Sequence, residues 1–121
     1  MSNSIQRALA LALALGAVVT AAPTASAAKL KVELEVTNKA KYTASICGLD
    51  WLGGYCTYSV KPGKTAGFTV EPRSADDRIE IRVVVDKGGS EYFHTSTGKA
   101  KACFETRGTA KAPTVTQVDC A

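Results

Sequence analysis

The sequence predicts an all-β fold: a small, disulfide-stabilised antiparallel β-sandwich or Greek-key barrel of about seven or eight strands. Three observations carry this expectation. Apolar and polar residues alternate with period two in segment after segment, as half-buried strands require. Gly, Pro, Asn and Asp punctuate those segments at short intervals, which suits tight connections between short strands. Four cysteines serve a chain too short to bury a large core, a composition common among small secreted domains. No stretch beyond residue 28 sustains a 3.6-residue period with a cap, so helices are not expected.

Residues 1–27 read as a secretory signal peptide. Arg7 supplies the positive charge, Ala8 to Val19 is an apolar run of about twelve residues, and Ala25-Ser26-Ala27 has the small-x-small form of a cleavage site. A membrane-spanning helix needs roughly 20 apolar residues, and Thr20 and Pro23 interrupt this run. The expected product is a single domain over residues 28–121, exported and free of any membrane span.

The strands follow in order. Leu30, Val32, Leu34 and Val36 alternate with Lys31, Glu33 and Glu35, giving the first strand. Asn38 and Lys39 break the pattern, and Tyr42, Ala44 and Ile46 resume it in a second strand running into Cys47. After a loop to Cys56, the third strand places Cys56, Tyr58 and Val60 on one face. Lys61-Pro62-Gly63-Lys64 is a turn in which Pro62 fixes φ and Gly63 takes a positive φ. Ala66, Phe68 and Val70 line the fourth strand, closed by Pro72 and a polar stretch. In the fifth, Ile79, Ile81, Val83 and Val85 point inward, Glu80 and Arg82 outward, and Val84 joins the outer side. The turn Asp86 to Ser90 folds Glu91 to Thr95 back on it as a hairpin. Ala102, Phe104 and Thr106 mark a seventh strand, and Thr114 to Cys120 an eighth, β-branched but poorly patterned as edge strands often are.

Four cysteines allow three disulfide connectivities. Hairpin register favours the two local bridges, Cys47 with Cys56 and Cys103 with Cys120. The second follows if residue 105 lies opposite 118, with the connection centred near Lys111. Zinc is the rival use of four thiols, but no spacing here has the C-x₂₋₄-C form and export implies an oxidising compartment. No metal or other cofactor is expected.

Removing Arg7 leaves 14 of the 15 Lys and Arg residues against 11 Asp and Glu. This excess is spread along the chain with no basic block, which argues against nucleic-acid binding. His94 is the only histidine, so a Ser-His-Asp triad would have to combine it with Ser90 or Ser96. No nucleophile-elbow signature accompanies it. The expectation is therefore a non-enzymatic protein, with a small enzyme using His94 as the alternative. Asp76-Asp77 is the only adjacent acid pair, but it lacks calcium-loop spacing and reads as a solvated turn.

The segment Cys47 to Cys56 is unlike any other. Its interior, residues 48–55, holds Leu49, Trp51, Leu52 and Tyr55 together with Gly48, Gly53 and Gly54, spending large apolar residues where a loop is normally polar. A disulfide across its neck would make it a rigid aromatic tip, the composition of a binding hot spot. The four large residues are the candidate site, and the expected ligand is an extracellular protein or a carbohydrate stacked on Trp51. Alternatively, Trp51 could fold back to plug the end of the sandwich, and both roles could coexist with Leu49 inward and Trp51 outward. A structural or cell-surface protein self-associating through its edge strands is a further class.

Just after Cys56, Tyr58-Ser59-Val60-Lys61-Pro62-Gly63 resembles the Tyr-x-Val-x-Pro-Gly strand and turn of the tendamistat-like α-amylase inhibitors. That resemblance implies a small secreted β-sandwich with two sequence-local disulfides that inhibits a secreted hydrolase. The family inhibits through a Trp-Arg-Tyr triplet, whereas Trp51 here precedes Leu52 and Gly53. Thr57 also adds one residue between the cysteine and the tyrosine.

Overall fold

The computed structural model describes residues 30–121. The signal peptide expected at 1–27 lies outside the described residues, as do Ala28 and Lys29. Eight strands follow in order: β1 (Val32–Asn38), β2 (Ala44–Asp50), β3 (Gly53–Val60), β4 (Thr65–Val70), β5 (Ile79–Val85), β6 (Ser90–Thr95), β7 (Lys101–Gly108) and β8 (Pro113–Val118). They form two four-stranded sheets, ordered β4-β1-β7-β8 and β3-β2-β5-β6. The arrangement is sandwich-like, and the sheets do not close into a barrel. Among the described residues no helix is long and apolar enough to cross a membrane.

Period two does the work in both layers. Val32, Leu34 and Val36 of β1 and Ile79, Ile81, Val83 and Val85 of β5 all face inward and are buried. They meet Phe68 of β4 and Phe104 of β7 in one core. At roughly 1.5–3 kcal/mol for each large apolar side chain removed from water, these inner faces dominate stability. Val84, the outward apolar residue of β5, stays 42% exposed.

Most neighbours pair antiparallel, but β1 and β7 are parallel, with Val36 opposite Phe104. A parallel pair needs a long crossover, and the chain from β2 to β6 supplies it. Both disulfides are the sequence-local ones, Cys47–Cys56 and Cys103–Cys120, so no cysteine is left free. The second bridge forms in a different register from the one expected. Cys103 faces Val118 and Glu105 faces Thr116, so the ladder ends two residues before Cys120 and the bridge reaches diagonally across a Cα–Cα distance of 5.2 Å.

Two further departures have local causes. The pairing of β2 with β3 shifts between Ile46 and Ala44, and Ser59 takes a positive φ of 56° there. This bulge reverses the alternation. Cys56 therefore lies opposite Cys47 on the outer face while Val60 turns inward opposite Ala44; the two do not share a face. Tyr42 precedes β2 instead of belonging to it. Its buried hydroxyl hydrogen-bonds Thr106 and donates to the Arg107 carbonyl at 2.7 Å. Burial raises the Tyr42 phenol above its ordinary pKa, with the Thr106 bond acting the other way.

Asn38 is fully buried. Its amide nitrogen donates to the carbonyls of Tyr42 and Val60 at 2.8 and 3.0 Å, and its carbonyl accepts from Ala40 N at 2.9 Å. A buried amide is tolerated only when satisfied in this way. The connections alternate between the two ends of the sandwich: β1–β2, β3–β4, β5–β6 and β7–β8 gather at the Asn38 end, while β2–β3, β4–β5 and β6–β7 gather at the other.

Candidate functional site

The expected loop of residues 48–55 is a continuous hairpin. Pairing of β2 with β3 runs through Gly48↔Tyr55, Leu49↔Gly54 and Asp50↔Gly53, leaving only Trp51 and Leu52 as the connection. Cys47 and Cys56 face each other directly, 3.9 Å apart at Cα. Each glycine has its own reason. Gly53 takes φ 115° to close the turn, and a Cβ on Gly54 would lie 2.0 Å from the Gly48 carbonyl oxygen. Gly48 sits over the Phe68 ring, which a Cβ would approach to 3.0 Å.

The side chains fall only in part as the sequence implies. Leu49 does not point inward; it lies on the outer face, in register with Gly54 and with Glu80 of β5, and is half-buried. The residue beneath the hairpin is Phe68, so Trp51 is not the plug. Trp51 is 50% exposed, with its indole N–H donating to the Glu71 carbonyl at 3.2 Å. Leu52 and Tyr55 are 73% and 72% exposed. Tyr55 is opposite the core-facing Gly48, and so projects from the inner side of β3. It remains in solvent at the sheet edge, where it borders the concavity shared with Thr69 and Glu71.

Residues that sequence patterning does not reveal hold this tip in place. Asp50 accepts from Leu52 N and from Glu71 N, both at 2.8 Å, tying the turn to the segment after β4. The Arg73 guanidinium lies 5.0 Å from the centroid of the Trp51 ring, within cation–π range. Asp77 holds it in a two-pronged pair, Nε to Oδ2 at 3.0 Å and Nη2 to Oδ1 at 3.1 Å. Those bonds, with the backbone N–H groups of Arg73 and Arg78, keep the Asp77 carboxyl well below the usual carboxylate range. Asp77 thus holds the guanidinium that lies over Trp51. Among the described residues no cluster of His, Cys, Asp and Glu could hold a metal ion. Between the tip and β4 lies a concavity of about 430 Å³ bounded by Asp50, Leu52, Tyr55, Thr69 and Glu71.

His94 lies away from the hairpin tip, on β6. Its Nε2 is 2.7 Å from Glu80 Oε1, and the other Glu80 oxygen accepts from Arg82 Nε at 2.9 Å. Partial burial opposes ionisation of Glu80, but the bonds from Arg82 and His94 outweigh it and depress the carboxyl. Arg82 in turn lies 4.6 Å from the Tyr92 ring centroid. Neither Ser90 nor Ser96 joins this cluster.

Comparison with family models, with curated proteins and with solved structures returns no match.

Proposed function

We propose that this chain is a secreted, non-enzymatic binding domain that contacts an extracellular protein through the β2–β3 hairpin. The observation that carries the reading is the exposure of Trp51, Leu52 and Tyr55 on a hairpin stapled at its neck. Large apolar side chains on a pre-ordered support contribute contact area at low entropic cost. Two disulfides in a domain of this size suit an extracellular location. A protein is favoured over a carbohydrate because Leu52, as exposed as Tyr55, adds aliphatic contact area that a sugar does not use, and the Arg73 guanidinium lies over the Trp51 ring. Inhibition of a secreted hydrolase is the sharper form of the same reading.

The test is parallel capture from culture medium and cell-envelope fractions with wild type and Leu52→Ser/Tyr55→Ser. Neither side chain is buried, so the variant should melt within about 1 kcal/mol of wild type while losing the captured partner. A partner retained equally by both proteins would refute the hairpin as the site. Capture competed by neutral oligosaccharide would transfer the assignment to carbohydrate.

A further inference from the structure

The positive charge that is scattered in sequence is gathered by the fold at the end opposite the hairpin. The β1–β2 connection carries Lys39 and Lys41, and the β3–β4 connection carries Lys61 and Lys64. Lys87 lies in β5–β6 and Lys111 in β7–β8. Against these six lysines the four connections contain one acid, Asp86, a net of +5, which exceeds the +4 of the entire chain. The three connections at the hairpin end balance Arg73, Arg78 and Lys99 against Glu71, Asp76 and Asp77, for a net of zero. All six lysines are exposed. The ion pairs among described residues use Arg73, Arg82, His94, Lys101 and Arg107 and none of these six.

The lysine-bearing connections are also tied to one another or to the strand ends beside them. Asn38 N donates to Lys64 O at 2.9 Å, and Lys39 N to Thr106 O at 2.9 Å. Asp86 N donates to Thr43 O at 3.1 Å and Gly89 N to Ala110 O at 2.7 Å. Below them stand the buried Asn38 and Tyr42 bonds already described. The charges thus sit on a fixed platform, and like charges held together this way raise the local concentration of anions. Between the first and last of these connections is a concavity of about 510 Å³. Ala40, Tyr42 and Ala110 line it, with Lys39 and Lys41 beside them.

We propose that this lysine pole binds a linear acidic polysaccharide, with one sugar ring seated in the cleft and neighbouring carboxylates on the surrounding lysines. An array spread over four connections matches repeated charges along a chain better than a single anion. Lysine, a compact point charge, suits dispersed carboxylates that need no two-pronged recognition. The small apolar lining accepts a sugar face. Nucleic acid fits less well, because the cleft itself is lined by no exposed aromatic on which bases would stack; the one exposed aromatic at this pole, Tyr58, lies beside Lys87 in a separate concavity. A lipid surface fits less well because the lysine-bearing connections carry no large apolar side chain to insert.

The experiment measures binding of the folded, disulfide-intact protein to labelled polygalacturonate at low salt. A DNA duplex, vesicles containing anionic lipid and neutral dextran serve as comparison ligands. Polygalacturonate should bind in a salt-dependent way and dextran should not. Lys39→Ala/Lys41→Ala should weaken binding about twenty-five-fold, at roughly fivefold per lysine by analogy with basic residues at anionic surfaces. Lys31→Ala/Lys99→Ala, which removes the same charge at the hairpin end, should change it less than about twofold. The proposal is overturned if polygalacturonate does not bind, if both double variants lose affinity equally, or if DNA or vesicles bind as tightly. Because Leu52→Ser/Tyr55→Ser lies at the other end, its effect on partner capture is scored separately and neither result decides the other.

Discussion

At the scale of single residues, the hairpin is governed by three glycines whose requirements differ, and substitution separates them. Gly53 needs only its positive φ; no atom lies within 4 Å of the position a Cβ would take. Gly54 needs space, because a Cβ there would stand 2.0 Å from backbone of the paired strand. Gly53→Ala should therefore cost about 1–2 kcal/mol, the penalty of an L-residue in the left-handed region. Gly54→Ala has to separate β2 from β3 and should cost about 3 kcal/mol or more. Urea unfolding of the two variants checks the order, and equal losses would mean that close strand approach is not the constraint on residue 54. None of this is readable from composition, in which both positions are simply glycines in an apolar loop. The same holds for Asn38, which looks like a turn residue in sequence but is buried because three backbone partners surround it.

At the scale of elements, strands were legible wherever one face packs against the opposite sheet. The inward set of β5 and the alternation of β1 and β4 appear in the structure as the sequence implies. What period two does not reveal is the bulge at Ser59, because a one-residue slip is fixed by the pairing partner and not by the strand itself. The exposure of Tyr55 is hidden for a related reason, since it depends on β3 lying at the edge of its sheet. Of the eight residues of β3 only Val60 is buried, so the strand draws little hydrophobic stabilisation and depends on its ladder with β2 and on the Cys47–Cys56 bridge. Closing a loop of that length is worth roughly 2.7 kcal/mol in the chain-entropy account. In Cys47→Ala/Cys56→Ala, amide exchange should accelerate in residues 53–59 while β1, β5 and β7 keep their protection. Uniform acceleration across all strands would show instead that β3 unfolds only with the whole domain.

At the scale of the whole molecule, topology creates a property that no segment possesses. Lysines from residues 39 to 111 converge because each strand reverses the direction of the one before it, so that alternate connections return to one end. Six unpaired lysines on a rigid platform repel one another, so folding has an electrostatic cost that salt relieves. The Debye length falls from about 30 Å at 0.01 M to about 8 Å at 0.15 M, and the repulsion falls with it. Salt also weakens the exposed pairs such as Lys101–Glu35 and Arg107–Glu105, each worth about 0–1 kcal/mol, so wild type alone does not isolate the effect. The informative quantity is the difference between two charge-matched variants. Lys39→Ala/Lys41→Ala should raise the melting temperature at 0.01 M salt by several degrees, on the order of 4–8 °C for each 1 kcal/mol relieved in a domain of this size. Most of that gain should vanish at 0.15 M. Lys31→Ala/Lys99→Ala removes two charges at the end whose connections are balanced in charge and should give no such gain. Differential scanning calorimetry at the two salt concentrations separates the variants, and identical salt slopes would mean that the pole stores no repulsion for an acidic ligand to neutralise.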